Sequence, residues 1–174
     1  MYYVQKLQGK GNARIQSYLK NGGYFLGICA GSYYSGNYLE FAKRTNIEVI
    51  CERELKIFNR AVRGLLLAPY YYNSYKGARA AYLKINSKLK LNIKIKDGYI
   101  FYNGGGYFVD VENTKDTEII ANYEDSKPAI IRCAIWGNGI DIISVVHLEY
   151  DLTLIKNQSL NKICKILKAI IRKE

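Results

Sequence analysis

Three observations predict an α/β fold. The run Tyr24-Phe25-Leu26-Gly27-Ile28 is short and wholly apolar, the composition of a strand buried on both faces of a parallel sheet. Residues 11–21 precede it with a helical pattern: Ile15, Tyr18 and Leu19 share one face, and Gly22-Gly23 supplies the stop. The small residues Ala30, Gly31 and Ser32 follow Cys29 directly and open a second helix. Helix, strand and helix in close succession form the layered α/β arrangement.

The rest of the chain adds an antiparallel extension. Residues 65–75 are apolar and tyrosine-rich around Pro69 and predict a strand or a covering loop. Leu91, Ile93 and Ile95 alternate with Asn92, Lys94 and Lys96. Asp97-Gly98 then supplies a hairpin turn, and residues 99–102 return. Asn103-Gly104-Gly105-Gly106 predicts a loop before a strand at 107–111. Further strands are expected at 117–123 and 129–136, and Gly137-Asn138-Gly139 turns the chain into a strand at 140–146. The last segment reads as an amphipathic helix, with Leu160, Ile163, Leu167 and Ile170 opposite Lys162, Lys165 and Lys168. Packing on the sheet is favoured over membrane binding for this helix. No linker or repeat divides the chain, so residues 1–174 are expected to form a single domain.

Composition narrows the functional classes. The formal net charge is +11. The lysines are scattered, however, and lysine, asparagine and isoleucine are all abundant. A solvated surface is therefore expected, with neither nucleic acid nor membrane as partner. Seventeen tyrosines are too many for surface use alone, and many are expected with the ring in the core and the hydroxyl at a polar partner. Cys29, Cys51, Cys133 and Cys164 form no Cys-x-x-Cys pair and have no neighbouring histidine. No metal site and no cofactor are expected. Cys133 and Cys164 lie in apolar patterns and read as buried thiols. No secretory leader or membrane span is recognisable, which predicts a cytoplasmic protein with reduced thiols.

The chemistry centres on Gly27-Ile28-Cys29-Ala30-Gly31. A cysteine between two glycines, at the end of a strand and the start of a helix, fits a nucleophile elbow. A free cysteine is mostly thiol at neutral pH, with a pKa of about 8.5, and a helix N-terminus or an imidazole lowers it. The one histidine of the chain, His147, also follows an apolar strand, and Glu149 stands two residues beyond it. Cys29, His147 and Glu149 are the residue types of nucleophile, base and orienting carboxylate. The backbone N–H of Ala30 is positioned to be an oxyanion donor.

This layout resembles the class I glutamine amidotransferase-like (flavodoxin-like) fold, in which an elbow cysteine is followed late in the chain by His-x-Glu. Within that superfamily, the stretch from Gly22 through Cys29 to Tyr34 resembles the amidotransferase-like N-terminal domain of biotin–protein ligases and its stand-alone bacterial relatives. Glu40-Phe41, Tyr72-Asn73-Ser74, Gly77-Ala78-Arg79, Phe101-Tyr102-Asn103-Gly104-Gly105-Gly106, Tyr123-Glu124-Asp125 and Val146-His147-Leu148-Glu149-Tyr150 also match. The resemblance implies a Cys29-His147-Glu149 triad of amidotransferase or amidohydrolase type. Tyr33, Tyr34, Asn103, Gly104 and Gly105 are candidate pocket residues.

Three departures qualify the expectation. Tyr33 stands where true glutaminases carry glutamine, four positions after the nucleophile, which argues against glutamine as substrate. The chain carries no Gly-Arg-Gly-Arg-type loop and no Lys-Trp-Pro-Asn run, so it is not expected to ligate biotin on its own. Relatives also have several βα units before the helix at 11–21, ending in a loop that contributes to the oxyanion hole. The expectation is thus a partial, N-terminally truncated sheet with one oxyanion donor visible. Loss of such a donor typically costs about 2.7–4 kcal/mol of transition-state stabilisation. The strand at 24–28 would then be a sheet edge, covered by another copy of the chain, by a separately encoded N-terminal fragment or by a repositioned segment such as residues 1–10. A non-catalytic regulatory or interaction domain keeping a relic triad is the alternative reading.

Overall fold

The structure is a computed structural model that describes residues 2–68, 70–71, 74–89, 97–134 and 139–150. Helices α1 (Tyr2–Leu7) and α2 (Lys10–Lys20) lead into strand β1 (Phe25–Ile28), followed at once by α3 (Ala30–Ser35). Strands β2 (Gly36–Phe41), β3 (Val49–Glu52) and β4 (Phe58–Gly64) come next, then β5 (Arg79–Ile85) and β6 (Gly98–Tyr102). Strands β7 (Gly106–Phe108), β8 (Thr117–Tyr123), β9 (Pro128–Cys133) and β10 (Asp141–Ser144) complete the described elements.

Helix α2 ends as its glycines predict. Gly22 has φ 86°. Its N–H donates to the Leu19 carbonyl, and the Gly23 N–H donates to that of Tyr18, each at 3.0 Å. This is a Schellman stop. Leu19 is buried, but Tyr18 is not on the core face and is 56 % exposed. Its ring covers Gly23 instead, where an added Cβ would lie 2.3 Å from a ring carbon.

Two sheets share one core. The larger has the order β1-β10-β9-β8-β5-β6, and the smaller β3-β2-β4-β7. β1 and β10 run parallel, with Phe25 opposite Asp141 and Ile28 opposite Ser144. The pairs β10–β9, β9–β8, β8–β5 and β5–β6 are antiparallel. In the smaller sheet β2 and β4 are parallel, and β3 and β7 flank them antiparallel. The rings of Phe58 on β4 and Phe108 on β7 meet edge to face at 5.4 Å. Both belong to the same buried cluster as Ile131 and Ile143 of the larger sheet. Each such side chain contributes about 1.5–3 kcal/mol by leaving water.

The larger sheet curls. β6 ends the strand order, yet Phe101 on β6 bridges to His147, just past β10. The His147 N–H donates to the Phe101 carbonyl at 3.0 Å. Curling brings the loop after β6 to the same end of the sheet as the residues following β1 and β10.

Several sequence expectations are revised. β1 is not buried on both faces: Leu26 is 45 % exposed, because β1 has only β10 beside it among the described residues. The wholly buried strand is β10, which lies between β1 and β9. Within 65–75 the described residues form no strand, and a 3-10 turn begins at Tyr75. In the predicted hairpin, residues 91–96 lie outside the described residues, and β6 pairs with β5. The strand expected at 107–111 is shorter, and Val111 opens a 3-10 turn. The C-terminal helix and Cys164 lie outside the described residues. No helix among the described residues is long and apolar enough to cross a membrane.

Asp141 is a buried acid with a measurable signature. It is 3 % exposed, and its Oδ1 has no hydrogen-bond partner among the described residues. Burial pushes its pKa up to about 6. The folded state therefore favours the protonated form. Stability from this group falls as pH rises from the unfolded pKa of about 4 through 6. Asp141→Asn should raise stability at pH 8 relative to pH 4.5 by on the order of 2–3 kcal/mol compared with the parent chain. Urea unfolding at the two pH values measures this, and an equal change at both would disprove it.

Candidate functional site

Cys29 stands between β1 and α3 in a backbone conformation that side chains rarely adopt, with φ 47° and ψ −104°. For a residue with a Cβ this costs about 1–3 kcal/mol. Its neighbours hold it there. The Cys29 N–H donates to the Ser144 carbonyl at 2.8 Å, extending the β1–β10 ladder by one residue. Its carbonyl accepts from the N–H groups of Ser32 and Tyr33 at 3.0 and 3.2 Å, which begins α3. It also accepts from the Ser32 hydroxyl at 2.6 Å. Gly27 is needed at this turn, since an added Cβ would lie 3.2 Å from the Gly31 carbonyl oxygen and 2.7 Å from the Phe25 ring.

His147 reaches the same place from the neighbouring strand. Ser144, at the end of β10, donates its hydroxyl to the Val146 carbonyl at 2.8 Å and accepts from the Val146 N–H at 3.3 Å. This local turn releases the chain from the sheet. The imidazole lies edge-on to the Phe101 ring at 5.4 Å, and Phe101 stacks on Tyr150 at 3.9 Å. Nδ1 of His147 is 2.7 Å from Oε1 of Glu149. The ring and the Cys29 sulfur line the same pocket.

The electrostatics follow from these contacts. Hydrogen bonding to Cys29, then to Glu149, raises the His147 pKa to about 10, against desolvation that lowers it. Burial pushes Glu149 up, but the bond to His147, a hydrogen bond to its own backbone and the charge of His147 together hold the carboxyl below its ordinary value. The imidazole thus has a carboxylate at Nδ1 and shares its pocket with the Cys29 sulfur. Cys133, by contrast, is buried away from this group, and burial pushes its thiol up to about 12.

Cys29 and His147 line a pocket of about 470 Å³, together with Ala30, Tyr33, Tyr34, Asn103 and Gly104. Ala30 occupies the first position of α3, where a backbone N–H has no partner within the helix. The Tyr33 hydroxyl donates to the Gly104 carbonyl at 3.3 Å, and burial raises its pKa well above the ordinary value. The Tyr34 hydroxyl donates to Asn12 Oδ1 at 2.8 Å. The Asn103 carbonyl is 4.0 Å from the Cys29 sulfur, and its side-chain Nδ2 donates to the Ser74 carbonyl at 3.3 Å.

Gly105 does not line the pocket: an added Cβ would lie 2.3 Å from the Val145 carbonyl oxygen, so it serves close packing. The sequence reading missed Tyr3, Leu39, Phe41, Val49, Arg53 and Phe101 as lining residues. Only Phe41 and Phe101 stood in matched motifs, and no spacing ties Arg53 to Cys29. Among the described residues, no group of three or more His, Cys, Asp or Glu side chains could hold a metal ion.

The single histidine makes the coupling directly observable. Its NMR titration should have a midpoint well above the ordinary 6.5, near 10. The stabilisation linked to this shift is fully present below pH 6.5 and lost as pH rises through about 10. Cys29→Ala should lower the midpoint, and so should Glu149→Gln. An unchanged midpoint in Cys29→Ala would show that the two side chains are not coupled.

The family described as biotin-protein ligase, N terminal, matches residues 1–174. An uncharacterized protein of Chlamydia muridarum (strain MoPn / Nigg) is 29 % identical over 154 residues, covering 85 % of this chain and 56 % of that protein. The biotin–protein ligase of Schizosaccharomyces pombe (strain 972 / ATCC 24843) is 28 % identical over 142 residues, covering 79 % of this chain and 22 % of the ligase. The chain thus spans about half the length of the first relative and about a fifth of the second. Among solved structures, PurLQS from Thermotoga maritima superposes with a TM-score of 0.60 at 15 % identity, covering 98 % of this chain and 72 % of that one. A glutamine amidotransferase superposes at 0.52 and 11 % identity, covering 91 % and 68 %. The fold is therefore glutamine amidotransferase-like, and the chain belongs to the biotin–protein ligase N-terminal family.

Proposed function

We propose that this chain is an amidohydrolase or amidotransferase-like protein in which Cys29 is the nucleophile, His147 its base and Glu149 the orienting carboxylate. One observation carries the reading. A cysteine held at φ 47° between a strand and a helix lines one pocket with an imidazole whose Nδ1 lies 2.7 Å from a carboxylate. Backbone strain of this kind persists only where the surroundings over-determine it, and it clusters at reactive sites. The turn has the form of a nucleophile elbow.

In the proposed step the Cys29 sulfur attacks an amide carbonyl carbon, with its proton taken by His147 or already held there as an ion pair. As the C–N bond breaks, His147 returns that proton to the leaving amine, which leaves a thioester on Cys29. Water resolves it to the acid, or a second amine resolves it to a new amide. The Ala30 N–H is the donor for the oxyanion. Tyr33 argues against glutamine as substrate. Its ring and hydroxyl fill the space towards Gly104, at the position where glutaminases carry glutamine. The S. pombe relative is a biotin–protein ligase. On the present reading this chain, which spans about a fifth of that protein, does not ligate biotin alone.

A regulatory domain with a relic triad is the competing reading, since the fold alone does not fix the activity. Alkylation separates the two. With iodoacetamide at pH 7, Cys29 should react about tenfold or more faster than in the His147→Ala chain, because the imidazole favours the thiolate. Cys51, which is half-buried and outside the site, is the internal reference for peptide mapping. Equal Cys29 rates in the two chains would favour the relic.

A further inference from the structure

We infer that the pocket beside Cys29 selects amides whose scissile carbonyl is joined through an apolar linker to a carboxylate, and that Arg53 reads that carboxylate. The placement of the scissile carbonyl rests on the reading of Cys29 proposed above. The selectivity rests on the pocket walls.

Those walls are mostly apolar and aromatic. Leu39, Phe41 and Val49 come from the smaller sheet, Tyr3 from α1, and Phe101 from β6. A wall of this kind favours a hydrocarbon body and excludes the hydration of a polar one. Into it comes one arginine. Arg53 follows β3, and its backbone N–H donates to the Asn37 carbonyl at 2.8 Å, which ties it to the start of β2. Its guanidinium carbon lies 6.0 Å from the centre of the Tyr34 ring.

Nε of Arg53 is buried without a hydrogen-bond partner among the described residues. No ion pair to Arg53 is found among them either. The acids next to it in sequence do not neutralise it. Glu54 Oε2 accepts instead from the Gly9 N–H at 2.7 Å and from Asn12 Nδ2 at 2.6 Å. Glu52 lines the adjoining cavity of about 450 Å³, whose wall Arg53 shares.

Arg53 is half-buried, and its Nε is a buried donor with no acceptor among the described residues beside an apolar cavity, a cost that an arriving anion removes. The planar fork of the guanidinium matches a carboxylate. Cys29 and Arg53 line the same pocket, so one ligand can engage both. Hydrolysis then breaks the C–N bond, with water supplying the hydroxyl of the new acid and the amine leaving protonated. The product is a dicarboxylate when the anionic group lies on the acyl side.

Binding tests this separately from turnover. The Cys29→Ser chain is titrated calorimetrically with half-anilides of straight-chain α,ω-dicarboxylic acids, and with the anilides of the corresponding monoacids. The carboxylated ligand of the best length should bind about tenfold or more tightly than its neutral counterpart. Arg53→Met in the same background should abolish the difference, and Arg53→Lys should retain part of it. Thermal unfolding of each variant checks that it is folded. Equal binding of the two ligand classes, binding by neither, or a preference that survives Arg53→Met would overturn the inference. Preferential binding without hydrolysis by the parent chain would support the selectivity while overturning the catalytic reading. Hydrolysis without carboxylate preference would do the reverse.

Discussion

The parallel pairing of β1 with β10 is the constraint on which the site depends. Ile28 lies opposite Ser144, and the Cys29 N–H continues the ladder to the Ser144 carbonyl at 2.8 Å. The two strands therefore end at the same level. The next residue on one chain is Cys29, and the third residue on the other is His147. A slip of one residue in this pairing would separate the two side chains.

Curling of the larger sheet adds the third side. β6 is five strands from β1 in the order, yet the Phe101 carbonyl takes the His147 N–H, and Asn103 comes within 4.0 Å of the Cys29 sulfur. The glycines after Asn103 make this approach possible. A Cβ on Gly105 would collide with the Val145 carbonyl, and one on Gly106 would lie 2.0 Å from the Arg63 carbonyl oxygen. The loop is tight because two strands' backbones lie against it. Its glycine run thus belongs to packing as much as to the pocket.

Local chemistry made part of this legible in the sequence. Gly22-Gly23 announced a helix stop, and Gly22 has the positive φ that the stop requires. The glycine-flanked Cys29 and the lone His147 could be paired as candidates because the chain has one histidine, and Glu149 stood out by its place two residues beyond it. What remained hidden depended on long-range contacts. Tyr18 fits a helical core stripe by spacing, yet it covers Gly23. β1 has the composition of an interior strand but lies at the end of the sheet order, and its exposure follows from its neighbours. Arg53 reaches the pocket only because β3 pairs with β2, and no local pattern encodes that pairing.

The most direct measurement of the central claim is the intact mass of the chain, followed with peptide mapping, after rapid mixing with an activated acyl ester. A transient acyl group confined to Cys29, appearing and then lost to water while Cys51 stays unmodified, is the expected result. Acylation of Cys29 no faster than that of Cys51, or a Cys29 adduct that water never resolves, would contradict a nucleophile served by His147 and Glu149.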